Sequence, residues 1–186
     1  MITGEARILL LGRTGVGKSS LINALLRRRA AAVGEWMPTT ARVDCYHAVF
    51  DGTRYAMYDT PGLCDDLPEA GNDERYLEMI RTAVHRVDHA WFVTRLDFTR
   101  LSADERRGIR LVTQAFGPAL WKRAVIVFTF RDALPRARVD EAMAARAGLI
   151  RGEVAVHAGP LAARGLRAVC VNSNHAAGLR IVQLPG

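Results

Sequence analysis

The run from Ala6 to Leu26, ARILLLGRTGVGKSSLINALL, constrains the fold more than any other part of the sequence. An apolar stretch of strand length, Ala6–Leu11, leads into a glycine-rich loop, and Ser20–Leu26 continues with apolar residues at helical spacing. The loop reads Gly12, Arg13, Thr14, Gly15, Val16, Gly17, Lys18, Ser19, Ser20 and fits G-x-x-x-x-G-K-[ST]. In a loop of this kind backbone N–H groups turn inward on phosphate oxygens, the lysine ammonium reaches the outer phosphates, and the hydroxyl meets Mg²⁺. The alternative is an accidental match in a glycine-containing loop. The strand, loop and helix frame argues against it, and so does lysine usage: of 26 basic residues only Lys18 and Lys122 are lysine. A composition that otherwise uses arginine has kept lysine in the loop.

With 186 residues and 49% hydrophobic content, the chain can bury a core, and a single domain over 1–186 is expected. No apolar stretch approaches the roughly 20 residues of a membrane-spanning helix, and the N-terminus lacks a basic-then-apolar leader, so a cytoplasmic protein is expected. Cys45, Cys64 and Cys170 are odd in number and widely spaced, which disfavours a disulfide framework or a zinc site. The net charge of +7 invites a nucleic-acid or anionic-membrane reading, densest at Arg27-Arg28-Arg29. Basic residues there also complement a helix dipole, the other arginines are scattered among acids, and no basic strand is interleaved with aromatics, so nucleic acid is not the expected partner.

Strand-like segments recur at Arg7–Leu11, Val43–Phe50, Tyr55–Tyr58, Ala90–Thr94, Ala124–Phe128 and Ala168–Val171. Helical patterns lie between most of them, at Lys18–Arg29, Asp73–Arg86, Ser102–Phe116 and Val139–Arg151, the third opened by a capping box at Ser102-Ala103-Asp104-Glu105. Such alternation predicts an α/β fold with three layers, α/β/α, around a mostly parallel six-stranded sheet. Asp51-Gly52 reads as a hairpin turn and makes one edge strand antiparallel. Leu184-Pro185-Gly186 follows the last strand too closely for a closing helix, which suggests a chain cut from something longer.

Asp59-Thr60-Pro61-Gly62 follows a strand some forty residues after the loop. Asp59 at a strand end can hold a Mg²⁺-bound water, and the Gly62 N–H can contact a γ-phosphate and release it on hydrolysis. The plainer reading is an ordinary D-T-P-G turn. Thr39 and Thr40, in the loop Trp36–Arg42, are candidates to complete the metal's shell, with Thr40 favoured by position. After the strand Ala124–Phe128, Thr129-Phe130-Arg131-Asp132 stands where guanine-specific proteins carry N-K-x-D. A carboxylate at Asp132 can accept both N1–H and N2–H of guanine, a donor pair that adenine lacks. Stacking on the base would then fall to Phe130 or the Arg131 stem. Alternatively, Asp132 caps the segment that follows. Asn172 and Ser173, at the end of the last strand, complete the candidate base site.

Taken together, GRTGVGKSS, DTPGL, RLDFTRLSADERR, FGPALWKRAVIVFTFRD and the Asn-Ser after the last strand resemble the paraseptin GTPases. These are the Toc receptors of chloroplast import and the immunity-associated GIMAP proteins, within the septin-like class, and the likeness covers nearly the whole chain. The resemblance implies a G domain that binds GTP or GDP with Mg²⁺, hydrolyses GTP slowly and dimerises through its nucleotide face. It implies membrane attachment only through a C-terminal segment that this sequence does not contain. Leu63 stands where Ras-like enzymes place a water-orienting Gln, so slow turnover is expected unless a polar group comes from elsewhere. By the same resemblance Arg100 aligns with an arginine that Toc receptors project across a dimer interface; a solvated surface arginine is the alternative. A nucleotide-gated binding module without turnover and a basic RNA-associated GTPase stay open as rival functions.

Overall fold

A computed structural model describes residues 5–27, 30–31, 42–50, 52–62, 72–172 and 180–183. Short, largely apolar runs give the strands β1 (Glu5–Leu11), β2 (Asp44–Phe50), β3 (Thr53–Asp59), β4 (His89–Arg95), β5 (Ala124–Thr129), β6 (Arg167–Asn172) and β7 (Arg180–Gln183). The helices are α1 (Lys18–Leu26), α2 (Asn72–Ala83), α3 (Ala103–Phe116), α4 (Val139–Ala158) and α5 (Pro160–Arg164). All seven strands form one sheet in the order β2-β3-β1-β4-β5-β6-β7.

The six expected strands are present, and β1, β3, β4, β5 and β6 run parallel. Phe50 pairs with Thr53 across the expected hairpin, where Gly52 adopts φ 75°, so β2 lies antiparallel at one edge. The short β7, absent from the sequence reading, adds an antiparallel strand beyond β6 at the other edge.

Alternating side chains serve the two faces of the sheet. Leu9 and Leu11 of β1, Phe92 of β4, and Ile126 and Phe128 of β5 join a core with Ile109 and Val112 of α3 and Met143, Ala147 and Ile150 of α4. Ile8 and Leu10, with Val93 and Val127, face the opposite way and pack with Leu21 and Ile22 of α1. Helix boundaries differ from the sequence reading where local geometry intervenes. The first helix stops at Leu26 because Arg27 turns left-handed, at φ 52°. The second stops at Ala83, and Arg86 is drawn into a 2.8 Å pair with Asp88. The fourth runs on to Ala158, since Val154 is still buried, and ends before Gly159 at φ 86°.

From β1 the chain places β3 on one side and β4 on the other. Strand order therefore reverses at β1, and in open α/β sheets the crevice outside the carboxyl ends at such a switch point is where ligands bind. The glycine loop leaves β1 there.

Candidate functional site

Two different constraints act on the glycines of the loop. At Gly12 a Cβ would lie 2.2 Å from the Val93 carbonyl oxygen of β4, so the backbone approach itself excludes a side chain. At Gly15 and Gly17 the constraint is conformational, with φ of 73° and 93°. Gly17 precedes α1, whose first turn has neither a side-chain cap nor an acidic residue. The backbone donors that begin every helix are thus left without a side-chain acceptor there, which suits an anion. The buried Lys18 ammonium donates to the Gly12 and Arg13 carbonyls at 2.8 and 2.9 Å and so closes the loop from within. The Arg13 guanidinium reaches Asp104 at the start of α3, 3.0 Å away. Thr14 is exposed and Ser20 half-buried.

Thr129, expected among the nucleotide contacts, sits behind the loop. Its side chain is wholly buried behind the loop, donating to the Val16 carbonyl at 2.6 Å, with the Thr94 carbonyl 3.1 Å away. Its part is to hold the loop against β4 and β5.

Ser19 and Asp59 come together as expected. The Ser19 hydroxyl donates to Asp59 Oδ2 at 2.6 Å, while Asp59 Oδ1 is buried and has no hydrogen-bond partner. Burial pushes the Asp59 carboxyl above its ordinary range; the Ser19 hydrogen bond and the Lys18 charge pull it down only in part, and Asp44 pushes it further up. An orphaned carboxylate oxygen beside a hydroxyl is a fitting donor pair for a small hard cation. Mg²⁺ characteristically takes one or two carboxylates and completes its shell with water and phosphate oxygens. No cluster of three or more His, Cys, Asp or Glu able to hold a metal occurs among the described residues.

The same burial gives a pH signature. A carboxyl with a raised folded-state pKa binds its proton more tightly when folded, so in chelator-treated buffer stability falls as pH rises above the ordinary value of 3.8. Asp59→Asn is expected to flatten that dependence and to raise the melting temperature at neutral pH without metal, while abolishing the stabilisation conferred by Mg²⁺ with nucleotide. Thermal denaturation across pH, with and without Mg²⁺, checks both; a lower melting temperature for the variant throughout would contradict the burial argument.

Beyond Asp59, the Thr60 hydroxyl donates to the Leu10 carbonyl at 2.7 Å. The Tyr76 hydroxyl, from α2, lies 3.3 Å from the Pro61 carbonyl and 3.4 Å from Thr60 Oγ1. Asp-Thr-Pro-Gly is therefore anchored on β1 and tied to α2, with Gly62 half-buried at its end. Thr39, Thr40, Leu63 and Ser173 lie outside the described residues.

At the end of β5 the chain turns through Phe130, which takes φ 54° and ψ 36° and precedes a short turn of 3₁₀ helix at Arg131–Ala133. No side chain caps that turn, so Asp132 does not serve as its cap. The Asp132 side chain is 57% exposed, with Arg131 Nη1 3.5 Å away. Asn172 donates its amide to Asp132 Oδ2, which unites the ends of β5 and β6. Beneath them burial pushes the Cys170 thiol up to about 11, which keeps it protonated and unreactive.

Arg100 is exposed, and its carbonyl accepts from Arg146 Nη1 at 2.7 Å. Arg146 is only 2% exposed; its Nη2 donates to Glu105 Oε1 at 2.7 Å and to Thr94 Oγ1 at 3.0 Å. Thr94 in turn donates to Glu105 Oε1 at 2.6 Å, and Glu105 Oε2 accepts the Ser102 N–H at 2.9 Å in the expected capping box. The sequence reading missed this buried group. The capping box signals Glu105, but nothing local marks Arg146, forty-one residues on.

A sequence model of the AIG1 family matches residues 6–151. Among curated proteins, Translocase of chloroplast 108 of Physcomitrium patens is 30% identical over 130 residues, covering 69% of this chain and 13% of that protein. GTP-binding protein A of Dictyostelium discoideum is 29% identical over 140 residues, or 72% of this chain and 30% of that protein. The chain thus spans a minor part of the length of these relatives. Among solved structures, Toc33 from Arabidopsis thaliana in complex with GDP and Mg²⁺ superposes with a TM-score of 0.78 at 23% identity, over 91% of this chain and 71% of that one. A dimerization-deficient mutant of Toc33 gives 0.79 at 22% identity, over 92% and 72%. At this level of identity the likeness establishes the fold.

Proposed function

The chain belongs to the AIG1 family, and from that premise we propose that it is a Mg²⁺-dependent switch that binds GTP and GDP, hydrolyses GTP slowly and dimerises according to the nucleotide held. The observation that carries the reading is the pair of half-buried Ser19 and buried Asp59, with one carboxylate oxygen unpartnered, directly beside a loop whose glycines and lysine suit phosphates. The relatives support it by their names: Toc33 was crystallised with GDP and Mg²⁺ and with Mg²⁺ and GMPPNP, and dimerization is important for the GTPase activity of the chloroplast translocon components Toc33 and Toc159.

In this reading the backbone donors from Gly12 to Gly17 cradle the phosphates. Lys18 exchanges its carbonyl contacts for the outer phosphate oxygens, while Ser19, Asp59 and Thr40 hold the metal. Bound Mg²⁺ supplies neutralisation of charge on the phosphate oxygens as the terminal bond breaks. The Gly62 N–H senses the γ-phosphate, and the Tyr76 contact with Pro61 carries a shift of that segment to α2. Leu63 has no group to orient water, so turnover alone is slow. The exposed Arg100 is offered to the nucleotide of a second copy, where an arginine supplied in trans can contribute on the order of 10³ to 10⁵ in rate. The absence of a polar group at Leu63 favours one second reading, a nucleotide-gated binding module with negligible turnover. Cytoplasmic location belongs to the same proposal and rests on the sequence.

Asp132 sets the base preference. Asp132→Asn is expected to weaken GDP binding on the order of 100-fold, because an amide cannot accept both guanine donors, and to bring GDP and ADP close to parity. Titration calorimetry with both nucleotides, alongside the mass in solution with GDP and with a GTP analogue, tests the reading. Equal affinity of the wild type for ADP and GDP would leave a general nucleotide-binding protein, and a mass unchanged by nucleotide would remove the dimer.

A further inference from the structure

Arg95 and Asp97 have no part in the assignment above, yet with Phe130 they form a built feature at the mouth of the site. Arg95 is the last residue of β4, in register with Thr129 of β5. Its guanidinium lies 3.7 Å from the centre of the Phe130 ring and 5.2 Å from that of Phe98. Asp97 fixes it in a two-pronged pair, with Nε to Oδ1 at 2.9 Å and Nη2 to Oδ2 at 2.7 Å. A planar guanidinium held on both prongs has little freedom left, so the ring it faces inherits a fixed plane.

Phe130 itself is in an unfavourable backbone conformation. A φ of 54° is rare for a bulky residue and persists only where surrounding structure imposes it. The conformation swings the ring over the phosphate loop, where its Cε2 lies 3.7 Å from the place a Cβ on Gly17 would occupy. Even with Arg95 stacked on it, Phe130 is 41% exposed. An aromatic ring held in a strained backbone, backed by a cation, edged on the phosphate loop and still partly bare is placed for a planar ligand. Proteins of the N-K-x-D type have a lysine here, and Arg95 restores a positive charge beside an otherwise uncharged ring.

We propose that Arg95 is a positioning residue for base recognition: it locks Phe130 as a platform, so that a nucleotide base stacks on the ring in the order Arg95, Phe130, base, with Asp132 at the base edge. The inference rests on the nucleotide reading of the loop and adds to it the device that orients the base.

The test separates the two ends of the ligand. Binding of GDP and of inorganic pyrophosphate, each with Mg²⁺, is measured by calorimetry or by competition for wild type, Arg95→Met, Arg95→Lys and Asp97→Asn. Arg95→Met is expected to weaken GDP about tenfold and to leave pyrophosphate unchanged. Arg95→Lys, which keeps a cation near the ring, recovers part of the loss, and Asp97→Asn gives a smaller loss in the same direction. In a Phe130→Leu background Arg95→Met has no further effect on GDP. Equal losses for GDP and pyrophosphate would overturn the proposal by making Arg95 a phosphate or folding residue, and undiminished GDP binding would overturn it outright. A wild type that binds pyrophosphate but not GDP would instead sink the nucleotide reading on which the proposal stands.

Discussion

Lys18→Ala is expected to lower the affinity for GDP or a GTP analogue on the order of 100-fold or more, while costing only a few degrees of melting temperature. Its ammonium is buried between two loop carbonyls at 2.8 and 2.9 Å and is the cation whose charge partly offsets the buried Asp59. Truncating one partner of a buried charged contact costs about 2–5 kcal/mol of binding, which is roughly a 30-fold to several-thousand-fold loss. The effect on folding is smaller, about 1–2 kcal/mol, because the two hydrogen bonds lost are offset by no longer burying an ammonium. Calorimetric titration alongside thermal denaturation separates the two. Unchanged affinity in a folded variant would mean that phosphate does not lie in this loop.

Arg146→Met is expected to be the most destabilising of the substitutions considered. It strands the Glu105 carboxylate, which is 2% exposed and relies on Arg146 and Thr94 for Oε1. Breaking a buried pair from one side typically costs about 3–5 kcal/mol, and for a domain of this size that is a fall on the order of 10 °C in melting temperature. Replacing both members, Glu105→Leu with Arg146→Met, is expected to recover most of the loss, since the penalty lies in the unpaired charge. Thermal denaturation of both single variants and the double variant closes the cycle; additive losses would show that the two charges do not depend on each other.

The phosphate side of the site was legible in the sequence because it is local. Gly12 to Ser20 carries its own strand, turn and helix, and Asp59 sits at the end of a strand that pairs with β1, Leu10 opposite Asp59. The strands were legible for the same reason, as short apolar runs whose alternation survives in the two packed faces. What escaped depends on contacts between segments far apart in the chain. The part of Thr129 in fastening the loop shows only once its hydroxyl is found under Val16, and Arg146 reads as one more arginine of an arginine-rich chain until its guanidinium is found closed around Glu105 and the Arg100 carbonyl. Arg95 escaped because its stacking on Phe130 depends on a backbone conformation of Phe130 that no local pattern announces. The strand at 180–183 is too short for periodicity to mark it.

The hydrogen bond from Thr129 to Val16 joins residues 113 apart in sequence, and this has a consequence for the order of events on the ribosome. The glycine loop is made well before the residue that fastens it, which follows β1 to β4 in the chain. At synthesis rates of about 5–20 residues per second, 113 residues correspond to an interval on the order of ten seconds. During that interval the glycine loop of the nascent chain lacks its Thr129 anchor. Chains released before β5 will lack the loop's anchor however complete their P-loop sequence is.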